Sequence, residues 1–133
     1  MIAPVLETEP LVLRRPQADD SDSWAALMAD ERSARFIGGV MTRPAAWRMI
    51  ASTVGAWDLR GFSHFSAIEK ASGRWVGWIG PWQPEGWPGR EVGWSLWAEH
   101  WGQGYATEGV GAVLALALIA QAKQARRMTA ATD

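Results

Sequence analysis

Two glycines one residue apart, Gly102 and Gly104, stand at a change of sequence period, and their position carries the clearest chemical suggestion in the chain. Before them Val92, Trp94 and Leu96 alternate with Gly93 and Ser95, which is strand periodicity. After them Val110, Val113, Leu114, Ala117 and Leu118 recur at helical spacing. A strand, a glycine turn and a helix start make an anion site. The first N–H groups of a helix lack intrahelical partners, and the dipole makes that end positive. Glycines let a phosphate come close to the main chain. No Gly-Lys-Ser/Thr follows, so this is not a P-loop, and no third glycine stands three residues beyond Gly104, so it is not the dinucleotide fingerprint.

The elements that must position this turn can be read in order. Leu11 to Arg15 reads as a first strand ended by Pro16. Asp19, Asp20, Ser21 and Asp22 offer caps for a helix whose apolar stripe is Trp24, Leu27 and Met28. Ala34 to Met41 turns at Gly38-Gly39, and Thr42 caps a second helix with Pro44 just inside its start, ending at Gly61. Phe62 to Glu69 and Trp75 to Ile79 form a hairpin about Lys70-Ala71-Ser72-Gly73, and a Gly/Pro-rich connection leads to the central strand from Arg90. The helix after Gly104 is expected to end near Gln121 to Ala125. Arg127 to Thr132 is then expected to return as a strand parallel to the one before that helix. This order predicts an α+β fold, a layered, mixed, mostly antiparallel sheet flanked by helices.

A length of 133 residues and 48% apolar content predict one domain, residues 1–133, with a substantial core. A net charge of −1 gives no case for nucleic acid or an anionic membrane surface. The absence of cysteine excludes a disulfide frame and a thiolate nucleophile. Met1 to Val5 does not resemble a signal peptide, and the run Val110 to Ala120 is too short to span a bilayer, so a cytoplasmic protein without a membrane partner is expected. Ten tryptophans raise the possibility of a carbohydrate-binding module. The competing expectation is that they fill the sheet core and line a cleft.

The string Trp101-Gly102-Gln103-Gly104-Tyr105-Ala106-Thr107-Glu108, preceded by Glu91-Val92-Gly93-Trp94, resembles the acyl-CoA-binding motif of the GNAT N-acetyltransferases, and more narrowly their ribosomal-protein-alanine acetyltransferase branch. Gly77 to Gly80 and Gln83 to Trp87 are similar to the strand and turn that precede it there. One departure is Trp101, where the broad family has Arg or Gln. The resemblance implies the GNAT fold, with a further helix and strands that would follow Asp133, so the chain is expected to be carboxyl-terminally incomplete. It implies acetyl-CoA as co-substrate and an amine acceptor, a protein amino terminus or a small molecule, with no metal. Backbone N–H groups from Gly102 through Gln103, Gly104, Tyr105 and Ala106 would hold the pyrophosphate beside Trp101, with Thr107 adding a hydroxyl. Leu96, Trp97 and Ala98 would pair with the pantetheine arm.

Acyl transfer to an amine also needs a proton acceptor. Glu91, at the start of the central strand, is the catalytic candidate, with Glu69 and His64 as alternatives. A chain lacking its tail could equally bind acyl-CoA without turnover. Surface left uncovered by that missing tail predicts a homodimer.

Overall fold

The computed structural model describes residues 5–132, with side chains through residue 127. Five strands form one sheet in the order β1-β2-β3-β4-β5: β1 Leu6–Glu7, β2 Leu11–Arg14, β3 Phe65–Glu69, β4 Trp75–Trp82 and β5 Glu91–Leu96. Every neighbouring pair is antiparallel. Three helices accompany it among the described residues, α1 Ser21–Ala29, α2 Arg43–Arg60 and α3 Tyr105–Thr132. The α+β architecture follows the sequence expectation. The two-residue β1 does not, since so short a segment carries no period.

Two layers cover the sheet. On one face Trp24, Leu27 and Met28 of α1 and Ala46 and Ile50 of α2 pack with Trp78 of β4. Trp24 stacks on Trp78 with ring centroids 4.8 Å apart. On the other face Val113 of α3 joins Leu11, Leu13, Phe65, Ile79 and Leu96, with Val110 and Leu116 packed against them. Gly109 sets how closely α3 lies on β4: a Cβ there would stand 2.3 Å from Ile79 Cδ1.

Local signals explain α2. The Thr42 hydroxyl accepts from Ala45 N–H at 3.3 Å, and Gly61 closes the other end. At α1 the expected cap is used differently. Asp20 makes no side-chain cap to α1, because its carboxylate accepts both Arg14 guanidinium nitrogens at 2.8 and 2.9 Å and Ser66 Oγ at 2.8 Å. Burial opposes its charge, but the hydrogen bonds from Arg14, Gln17 N–H and Ser66 outweigh that and hold the carboxyl below its ordinary range. Asp20 thus ties the start of α1 to the sheet.

The end of the chain corrects the reading. The helix does not stop near Gln121 to Ala125, and Arg127 to Thr132 is not a parallel strand. It continues α3 to Thr132, and the described sheet has no parallel pair. Between Val113 and Thr132 the sequence holds neither Gly nor Pro, and Ala, Gln, Lys and Arg dominate, all strong helix formers. The apolar run Val110 to Ala120 therefore lies inside a longer element. By length and composition alone, Tyr105–Arg127, with mean hydropathy 1.4, could cross a bilayer. Its Val113 is buried against the sheet, whereas Leu114, Leu118 and Ile119 are exposed.

Candidate functional site

The site begins where β5 stops. Trp97 N–H donates to the Val76 carbonyl of β4 at 3.0 Å, which fixes the parity of the β4–β5 ladder. Pairs alternate from there, so Ser95, Gly93 and Glu91 are bonded to β4. Leu96, Trp94 and Val92 instead turn their N–H and C=O groups toward the outer edge. Pro81 opposite Val92 agrees, since it has no N–H to give. Among the described residues no strand lies beyond that edge. The Leu96 carbonyl is taken by the Trp101 indole N–H at 3.0 Å.

A short 3-10 turn, Ala98–His100, then leads into the glycines. Gly102 and Gly104 have φ of 79° and 81°, the left-handed region in which a side chain is strained. No atom stands within 4 Å of where their Cβ atoms would be, so conformation rather than crowding calls for glycine here. The first intrahelical bond of α3 runs from Glu108 N–H to the Gly104 carbonyl at 3.0 Å. The N–H groups of Tyr105, Ala106 and Thr107 precede it and have no backbone acceptor among the described residues. They open on a cleft of about 330 Å³.

Leu96, Trp101, Gly102, Gly104, Tyr105, Ala106 and Thr107, all expected from the sequence, line this cleft together. Three others do not. Trp97 lies on the opposite sheet face, beside the α1–α2 core. Ala98 is buried, and its N–H donates to Ser33 Oγ at 3.0 Å. Gln103 is exposed and reaches back to the Glu99 carbonyl at 3.4 Å. The cleft gains Phe36 and His100, which sequence reasoning did not single out, and Trp94, which it named only as a strand residue. His100 stands immediately before Trp101, so adjacency to the motif could have flagged it. Phe36 arrives from the α1–α2 connection, and nothing local in the sequence announces that contact.

The candidate proton acceptors are dispersed. Glu91 is exposed at the start of β5, five residues from Leu96, or about 16 Å along the strand. His64 is buried with both ring nitrogens unpartnered, stacked on Trp82 at 4.8 Å, and burial pushes it down to about 4. Glu69 accepts Ser72 Oγ at 2.6 Å and the Tyr105 hydroxyl at 2.7 Å, with His100 Nδ1 3.5 Å away. Those bonds, Ser72 first and then Tyr105, lower the Glu69 carboxyl, and Glu69 in turn raises the Tyr105 phenol. Glu69 therefore fastens the first residue of α3 to the end of β3. Among the described residues no group of three or more His, Cys, Asp or Glu side chains could hold a metal ion.

The arrangement is a helix start with free N–H groups, continuous with a strand edge whose outward main-chain groups have no strand partner among the described residues. Residues 10–133 match the family model described as the acetyltransferase (GNAT) domain. The chain belongs to the GNAT acetyltransferase family. Solved structures agree. An acetyltransferase from Agrobacterium tumefaciens is 29% identical, with a TM-score of 0.80 over 88% of this chain and 68% of that one. A protein from Bordetella pertussis assigned to the GNAT family is 27% identical, with a TM-score of 0.75 over 87% and 73%. A GNAT-family acetyltransferase from Bacillus anthracis, 23% identical with a TM-score of 0.68 over 84% and 64%, shares the fold. No curated protein matches the chain.

Proposed function

We propose that the chain transfers an acetyl group from acetyl-CoA to a primary amine, of a protein amino terminus or a small molecule. One observation carries this: the free donors of the β5 edge run directly into the free N–H groups of α3. In this reading the N–H groups from Gly102 to Thr107 hold the pyrophosphate, where the helix dipole favours negative charge. With Trp97 and Ala98 N–H committed to Val76 and Ser33, the pantetheine arm pairs with Leu96 and Trp94. One of those two N–H groups donates to the thioester oxygen. The bond strengthens as that oxygen gains charge during attack, which lowers the barrier. The amine nitrogen bonds to the carbonyl carbon, the carbon–sulfur bond breaks, and the amine's proton leaves with base or water.

Resemblance to the ribosomal-protein-alanine branch favours an amino-terminal acceptor. A second reading, binding of acyl-CoA without turnover, is favoured by the absence of Glu91, Glu69 and His64 from the cleft wall. Calorimetry with coenzyme A on the folded chain, paired with a free-thiol assay over an amine panel, separates them. Binding with thiol release supports transfer, and binding alone supports the second reading. Absence of both would discard the site.

A further inference from the structure

We infer that Arg32, in the connection between α1 and α2, is the cation that pairs with the phosphates of the acyl donor. The inference rests on the reading of the cleft as an acyl-CoA site. Coenzyme A brings a diphosphate and a further phosphate, several negative charges in all, whereas a helix N-terminus supplies about half a charge. The segment Trp101 to Thr107 contains no lysine or arginine. The charged residues in and around the turn are acidic: Glu99 before it and Glu108 in the first turn of α3. His100 is the basic side chain on the cleft wall, but carboxylates flank both its nitrogens, Glu69 at 3.5 Å and Glu99 at 3.6 Å. Neutralisation has to come from another element.

The α1–α2 connection supplies it through three adjoining contacts. The Arg32 guanidinium carbon stands 5.5 Å from the centre of the Trp101 ring. Ser33 accepts the Ala98 N–H at 3.0 Å, and the Phe36 ring lies 6.0 Å from that of Trp101. The segment is therefore fastened to the turn, and Trp101 offers its face as a platform for the guanidinium. Among the described residues Arg32 joins no salt bridge, although its charge is felt by the Asp30 carboxylate two residues before it. A planar guanidinium held at this place can meet a phosphate with two parallel hydrogen bonds.

The test is calorimetric titration of coenzyme A into the full chain and its Arg32→Lys, Arg32→Ala and Arg35→Ala variants, each over a range of salt concentrations. Arg35→Ala removes the same charge from the same segment without touching a contact to Trp101. Arg32→Ala should weaken coenzyme A about tenfold at low salt and make its affinity less salt-dependent, since one screened ion pair is gone. Arg32→Lys should fall between, and Arg35→Ala should stay within about twofold of the parent. Tight binding by the parent with an unchanged Arg32→Ala overturns this inference alone. So does an equal loss in Arg35→Ala, or a weakened Arg32→Ala whose salt dependence matches the parent. No binding by the parent overturns the acyl-CoA reading and this inference with it.

Discussion

His64 is held against Trp82 with no partner for either nitrogen, and Gly93 on β5 leaves open the space beside it: a Cβ at Gly93 would lie 3.6 Å from Nε2. Burying such an imidazole costs far more in its charged form than in its neutral one. Its folded value of about 4 lies below the ordinary 6.5. Between those two pH values the unfolded chain takes up a proton that the folded chain refuses. Stability from this group is complete above about pH 6.5 and is lost as pH falls toward 4, by on the order of 3 kcal/mol. Urea unfolding at pH 7, 5.5 and 4.5 should show that decline. A His64→Phe variant, which keeps an aromatic ring on Trp82, should show a shallower one. Equal slopes in the two proteins would mean that the acid sensitivity resides in carboxylates elsewhere.

Among the elements, the contact between α3 and β4 is the most sharply drawn. Gly109 costs the helix roughly 1 kcal/mol relative to alanine, yet an added Cβ would strike Ile79 Cδ1 at 2.3 Å in a side chain that is fully buried. Overpacking of this kind costs about 1–3 kcal/mol. Gly109→Ala alone should therefore destabilise by about 1 kcal/mol once the helix gain is subtracted. Ile79→Val removes the offending Cδ1 and leaves the next carbons at 3.5 Å, an ordinary contact. In that background Gly109→Ala should be neutral or stabilising, and a thermal-melt double-mutant cycle measures the coupling. Additive effects would show that α3 is not seated on Ile79. The same element shows what the sequence disclosed and what it hid. The start of α3 was legible because two glycines and a change of period are local events. Its end was not. Met128-Thr129 looked β-capable, but a strand there needs a partner, whereas the residues from Val113 onward need only their own backbone to remain helical. The contacts of Phe36 and Ser33 with the turn were invisible for a related reason. They join residues more than sixty positions apart, through side chains with no period to betray them.

At the scale of the molecule, the tryptophans follow the expectation that they fill the core and line a cleft, with two left on the surface. Trp24, Trp57 and Trp78 are buried, Trp94 and Trp101 line the cleft, and Trp47 and Trp87 are exposed. The described surface also exposes three apolar side chains of α3, Leu114, Leu118 and Ile119. An exposed apolar helix face invites another chain. We propose that the homodimer expected from the sequence forms through this exposed face of α3. Light scattering at micromolar concentration should report twice the mass of the 14.6 kDa chain. A Leu118→Glu variant, altering an exposed position only, should shift the mass toward the monomer without unfolding it. A parent chain that is a stable monomer would remove this proposal.

The Ser33 hydroxyl closes over a buried main-chain amide, that of Ala98, which sits between the last strand and the glycine turn. An amide so placed exchanges with deuterium only when its cover lifts. Ala98 is therefore a built-in clock for the α1–α2 connection, reporting how often the segment that carries Arg32 and Phe36 leaves the turn. Its exchange should be slow in the parent and markedly faster in Ser33→Ala, while amides in the centre of β4 keep their rates. Saturation with a ligand that bridges the segment and the turn should slow the clock further. An Ala98 amide that exchanges as fast as solvent-exposed ones would mean that the segment spends most of its time away from the turn.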